Sequence, residues 1–85
     1  MASGTVIFVS RNGGMLVVQH DQGLTLIELL GGEGEIEHGD RVRGDLMSLG
    51  GETFYKHGEA YDGFVQNIYG SAHAAVEAAR RMGGG

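Results

Sequence analysis

Between Gly4 and Leu30 the chain reads GTVIFVSRNGGMLVVQHDQGLTLIELL, three apolar runs separated by two short glycine-bearing breaks. Runs this short and this rich in Val, Ile and Leu have the make-up of strands. Asn12-Gly13-Gly14 and Asp21-Gln22-Gly23 supply residues that tolerate φ > 0, as tight hairpins require. The stretch predicts three consecutive strands in a meander, at about Thr5–Arg11, Met15–His20 and Leu24–Leu30. Both faces of these strands carry apolar side chains. One set is Val6, Phe8, Leu16, Val18, Leu24 and Leu26; the other is Ile7, Val9, Met15, Val17, Ile27 and Leu29. A small barrel has one inside, so the second set needs a cover: a helix, a partner chain or a ligand.

The length of 85 residues allows one domain. A chain this small buries only about 60% of its unfolded surface, which leaves a thin stability margin. It has no cysteine to reinforce it, so packing and backbone hydrogen bonds must hold the fold. Seventeen glycines and no proline fit many tight turns in an all-β domain. The net charge of −5 opposes non-specific binding of nucleic acid, although a local basic patch can survive on an acidic surface. No apolar run approaches the ~20 residues that span a bilayer, and the N-terminus lacks a basic leader region. A cytoplasmic protein is the expectation.

After Leu30, GGEGEIEHGD (31–40) is too glycine-rich for a good helix. It reads as a solvated acidic loop with Ile36 as a plug for the core. Strand 4 is expected at about Arg41–Leu49, with Val42, Gly44 and Leu46 alternating against Arg41, Arg43 and Asp45. A short strand at Thr53–Lys56 and a closing strand at Asp62–Tyr69 follow, joined by the turn His57-Gly58-Glu59. From Ser71 the composition turns alanine-rich. Ser71 suits an N-cap, Glu77 and Arg81 stand four apart in the favourable order, and Ala72, Val76, Ala79 and Met82 form a thin apolar stripe. The chain thus divides into a barrel over residues 1–70 and a helix with a loose glycine end over 71–85.

No motif for catalysis is legible. Ser10, Ser48 and Ser71 lack a nucleophile-elbow context, and the glycine pairs precede no lysine or helix of the kind a phosphate loop needs. His20, His38, His57 and His73 show no metal-helix spacing; a cross-strand pairing of His20 with His57 stays open beside the plainer reading of solvated turn residues. The expectation is no enzyme, no metal and no cofactor.

A meander followed by a long connection between strands 3 and 4 is the order of a five-stranded OB-type barrel. Several short motifs go further and resemble the cold-shock domain. These are Gly4-Thr5-Val6 with Phe8, Gly13-Gly14-Met15-Leu16-Val17, Asp21-Gln22-Gly23, Gly39-Asp40-Arg41-Val42 and Gln66-Asn67-Ile68. The resemblance covers about Gly4–Tyr69, with an insertion around 50–62. It implies an all-β, small five-stranded OB-type (cold-shock-like) barrel with a short C-terminal helix, and binding of single-stranded RNA or DNA on exposed aromatics. The chain departs from that pattern. Gly14 and Leu16 stand at the two aromatic positions of the first motif, and Leu26-Ile27-Glu28-Leu29 carries neither the aromatics nor the histidine of the second. Each missing stacking site forfeits ~1–3 kcal/mol, so the implied binding is weak. The residues it would use are Phe8, Arg11, Arg41, Arg43 and Lys56, with Tyr55 or Tyr69 nearby. The plainer reading pairs the arginines with Asp40, Asp45 and Glu28 on a solvated sheet. A separate reading, without nucleic acid, is a homo-oligomer or protein-contacting domain formed through Ile7, Leu16, Ile27 and Leu29, should they point outward.

Overall fold

The structure, a computed structural model, describes residues 2–83. The strands are β1 (Ala2–Val9), β2 (Met15–His20), β3 (Gly23–Leu29), β4 (Arg41–Gly44), β5 (Gly50–Lys56) and β6 (Glu59–Tyr69), followed by helix α1 (Ala72–Gly83). They close into a barrel in the order β1-β2-β3-β6-β5-β4, with β4 returning to β1. Every pairing is antiparallel. The expected barrel and terminal helix are therefore present, with six strands in place of five. The strands expected at Thr53–Lys56 and Asp62–Tyr69 are both full members of the barrel, lengthened into a β5–β6 hairpin where the resemblance implied an insertion. Of the expected loose end at Gly83–Gly85, Gly83 ends α1 and the rest lies outside the described residues.

Several element boundaries differ from expectation, the starts of β1 at Ala2 and of β5 at Gly50 among them, and three have evident local reasons. β1 stops at Val9, because Ser10 starts the turn: its backbone N–H donates to the Met15 carbonyl, and its buried hydroxyl accepts from the Met15 N–H. β4 stops at Gly44, because residues 45–49 leave the ladder and drop Leu46 inside, where its carbonyl accepts from Thr25 Oγ1. β6 begins at Glu59, because Lys56 and Glu59 pair across a two-residue turn.

The barrel interior is filled by Val6, Leu16, Val18, Ile27, Leu29, Val42, Phe54, Tyr61 and Val65, with Leu46 and Ile36 plugging from loops. Gly44 and Gly63 also point inward, on either side of Phe54. A Cβ on Gly44 would lie 2.6 Å from Phe54 Cδ1, and one on Gly63 3.2 Å from Phe54 Cε2. Two inward glycines make room for the largest fully buried side chain.

A second apolar layer lies outside the barrel. Met15 and Val17 of β2 and Leu24 and Leu26 of β3 face outward and are covered by Ala75, Ala78 and Ala79 of α1. A bulge between Val6 and Phe8 places consecutive residues Ile7 and Phe8 beside this layer, while Val9 returns to the interior cluster. Neither expected set forms one face intact: the register pairs Leu16 with Ile27 and Val17 with Leu26, so Ile27 and Leu29 join Leu16 and Val18 inside, while Leu24 and Leu26 join Met15 and Val17 under the helix. Its buried stripe is Ala75, Ala78 and Ala79 with half-buried Val76, whereas Ala72 and Met82 are exposed. Small side chains let the helix axis approach the sheet closely, and that fixes its rotation. Ser71 caps α1 by accepting from the Ala74 N–H at 3.2 Å, and Glu77 pairs with Arg80, at 3.5 Å, in place of Arg81.

Buried polar groups are satisfied in a chain. Thr25 Oγ1, fully buried, donates to the Leu46 carbonyl at 2.6 Å and accepts from His20 Nε2 at 2.6 Å. Because the threonine hydroxyl has a single proton, His20 must carry its own on Nε2, which leaves Nδ1 to face the Gln22 N–H. No helix among the described residues is long and apolar enough to cross a membrane.

Candidate functional site

The expected site residues separate into different neighbourhoods. Phe8 is half-buried at the edge of α1, with the Arg80 guanidinium 5.7 Å from its ring centroid. Arg11 stands exposed on the β1–β2 turn, beyond the end of β1. Lys56 turns to the mouth of the barrel, where it donates to the Glu35 carbonyl and forms an ion pair with Asp40 at 3.0 Å. Asp40 accepts from the Glu37 N–H at 2.8 Å, and this bond, with Lys56 second, holds its carboxyl below the usual range. The hydrogen bond to Asp40 in turn raises Lys56. Tyr61 completes the mouth: its hydroxyl reaches Glu35 Oε1 at 3.2 Å, and burial, then that carboxylate, push the phenol upward. These groups tie the 31–40 loop to the barrel.

The aliphatic surface expected at Ile7, Leu16, Ile27 and Leu29 is not exposed. Leu16, Ile27 and Leu29 fill the barrel interior, and Ile7 is half-buried beside the layer under α1. The chain covers its own second apolar face. That cover also lies over the outer side of β2 and β3, while Leu16, at an aromatic position of the cold-shock motif, points inward.

Arg41 and Arg43 do come together. The alternation of β4 buries Val42 and Gly44 and sets both arginines on the outer face. The register places Arg43 opposite Tyr55 of β5 and Arg41 opposite Thr5 of β1. Arg41 is held flat on the sheet: Nη1 donates to Thr5 Oγ1 at 3.0 Å and Nη2 to Ser3 Oγ at 2.9 Å. Arg43 makes no side-chain hydrogen bond among the described residues. Arg41, Arg43, Tyr55, His57 and Gly58 line one cleft of about 450 Å³.

The carboxylates expected to neutralise these arginines are engaged elsewhere. Asp40 holds Lys56, Glu28 accepts from Gln66 Nε2 at 2.9 Å, and Asp45 faces the Met47 N–H at 3.4 Å. Neither Arg41 nor Arg43 makes an ion pair among the described residues. Comparison with protein-family models, curated proteins and solved structures finds no match.

His57 joins the cleft, whereas the sequence suggested a solvated turn residue or a cross-strand partner of His20. The signal available was its place beside Gly58 between two strand patterns, which puts its side chain at a hairpin tip. His20, by contrast, is engaged with Thr25 at the β2–β3 turn. Among the described residues no group of three or more His, Cys, Asp or Glu is placed to hold a metal ion.

Proposed function

We propose that this chain is a non-enzymatic module that binds single-stranded nucleic acid, weakly, on the outer face of β1, β4 and β5. Of the residues implied by the cold-shock resemblance this face keeps Arg41 and Arg43, with Tyr55, and leaves out Phe8, Arg11 and Lys56. The observation that carries the reading is two arginines without carboxylate partners, side by side with a half-exposed tyrosine in one cleft. Guanidinium groups match phosphate oxygens in a planar fork, and a tyrosine ring stacks on any base. The overall charge of −5 confines the attraction to this patch.

The test is titration of a labelled mixed-sequence single-stranded oligonucleotide at low and moderate salt, with light scattering on the same sample. Binding by a monomer should weaken with salt, at a log–log slope of about −0.7 per phosphate contacted. Arg43→Ala should weaken it about tenfold. Salt-independent binding, or none at high micromolar protein, rejects the reading.

A second reading rests on the opposite side of the barrel. Leu30 is 61% exposed, Leu49 64% and Phe64 42%. Phe64 pairs with Glu28 and Gly51, and Leu30 lines a recess of about 360 Å³ with Gly51 and Gly63. A self-associating domain would use this surface. Its mass would rise with concentration, salt would have little effect, and Phe64→Ser would return the monomer.

A further inference from the structure

The β5–β6 hairpin closes on two residues, His57 and Gly58, between the paired Lys56 and Glu59. Both have positive φ, 52° and 81°, as a type I′ turn requires. Asn-Gly is the dipeptide this turn favours, because Asn adopts the left-handed region at low cost. Among the described residues His57 is the only one other than glycine with positive φ. Its side chain is exposed and makes no hydrogen bond among the described residues. No hydrogen bond in the fold therefore rewards histidine at this position, and Asn would hold the same backbone conformation at least as well. A histidine kept at an exposed turn tip with no hydrogen-bond partner leaves its ring free for a role outside stability.

The role is indicated by where the turn puts the ring. His57 lines the same cleft as Arg41, Arg43 and Tyr55. We propose that His57 is a third phosphate-contacting group and that the cleft takes one nucleotide unit of the bound strand. The base stacks on Tyr55, and its phosphate sits among the imidazole and the two guanidiniums. Several features fit. The cleft volume of about 450 Å³ falls in the range of small-ligand sites. Arg41 is already oriented by Ser3 and Thr5, so little side-chain freedom is lost on binding. Asp40, the carboxylate that senses His57, is occupied by Lys56 and by the Glu37 N–H. An imidazole N–H remains to donate in either charge state.

This proposal rests on the nucleic-acid reading, and one set of measurements separates the two. Wild type, Arg43→Ala, His57→Asn and Tyr55→Leu are titrated with the same oligonucleotide and with a matching abasic strand, and each variant is melted. Asn suits the turn, so His57→Asn should melt at or above the wild-type temperature while binding about tenfold more weakly. Tyr55→Leu should bind the base-bearing and abasic strands alike, whereas wild type should prefer the former. If wild type binds neither strand, the nucleic-acid reading fails and this proposal with it. If wild type binds and Arg43→Ala weakens it while His57→Asn binds as wild type, this proposal alone fails. A lower melting temperature for His57→Asn would show that the histidine serves the fold, and would also overturn it. Equal preference for the two strands by wild type overturns the placement of the base on Tyr55.

Discussion

At the scale of single residues, what matters most is which side chain is absent. Gly44 and Gly63 flank Phe54 inside the barrel, and either Cβ would press on its ring or on Ile27. Gly44→Ala should therefore overpack the interior and cost about 1–3 kcal/mol, read as a lower urea midpoint at unchanged slope. A change in slope instead would place the effect in the unfolded chain. Gly44 was legible in sequence as an inward position, because it alternates with Arg41 and Arg43. Its pairing with Phe54 was not legible, since that needs β4, β5 and β6 to be wound into one barrel. His57 shows the same division. Its turn could be read from the neighbouring glycine, while its place beside Arg41 and Arg43 depends on the β4–β5 register.

At the scale of elements, α1 is the piece that changes the reading of all the others. Twelve residues are marginal as an isolated helix in water, so α1 owes its stability to docking. Its buried residues Ala75, Ala78 and Ala79 touch the layer formed by Met15, Val17, Leu24 and Leu26. Ala79→Glu would bury an unpaired carboxylate there. We expect that variant to lose α1, bind a hydrophobic dye and self-associate through the uncovered face; an unchanged monomer with an unchanged melt would show that the helix is dispensable. The helix itself was readable from Ser71 and the alanine run. Its rotation was not, because the stripe of Ala72, Val76, Ala79 and Met82 and the stripe of Ala75, Ala78 and Ala79 are both plausible on a helical wheel. The sheet selects the second, since the small residues permit closer approach. Leu16, Ile27 and Leu29 show a related limit: alternation within each strand was right, but the sequence grouped Leu16 with Leu24 and Leu26, and only the β2–β3 register sets it beside Ile27 and Leu29 inside the barrel.

At the scale of the whole molecule, the barrel is closed by polar ties as well as by packing, and these carry a pH dependence. Asp40 has a lowered pKa in the folded chain, so its contribution is present above the unfolded value near 3.9 and is lost as pH falls through the folded one. Lys56 is raised, so its contribution is present below the unfolded value near 10.4 and is lost as pH rises through the folded one. The tie should therefore hold from about pH 4 to pH 10. Asp40→Asn should lower the melting temperature inside that window and flatten its fall in acid, seen by thermal melts from pH 2 to pH 7; parallel acid limbs would rule the tie out as a source of stability. The apolar runs and glycine turns were enough to establish an all-β barrel opening with a meander, a plug at Ile36 and a terminal helix, because periodicity and turn chemistry are local. The full lengths of β5 and β6, the covered face, and the release of Arg41 and Arg43 from their expected carboxylates arose only on closure, because each depends on which distant strands become neighbours.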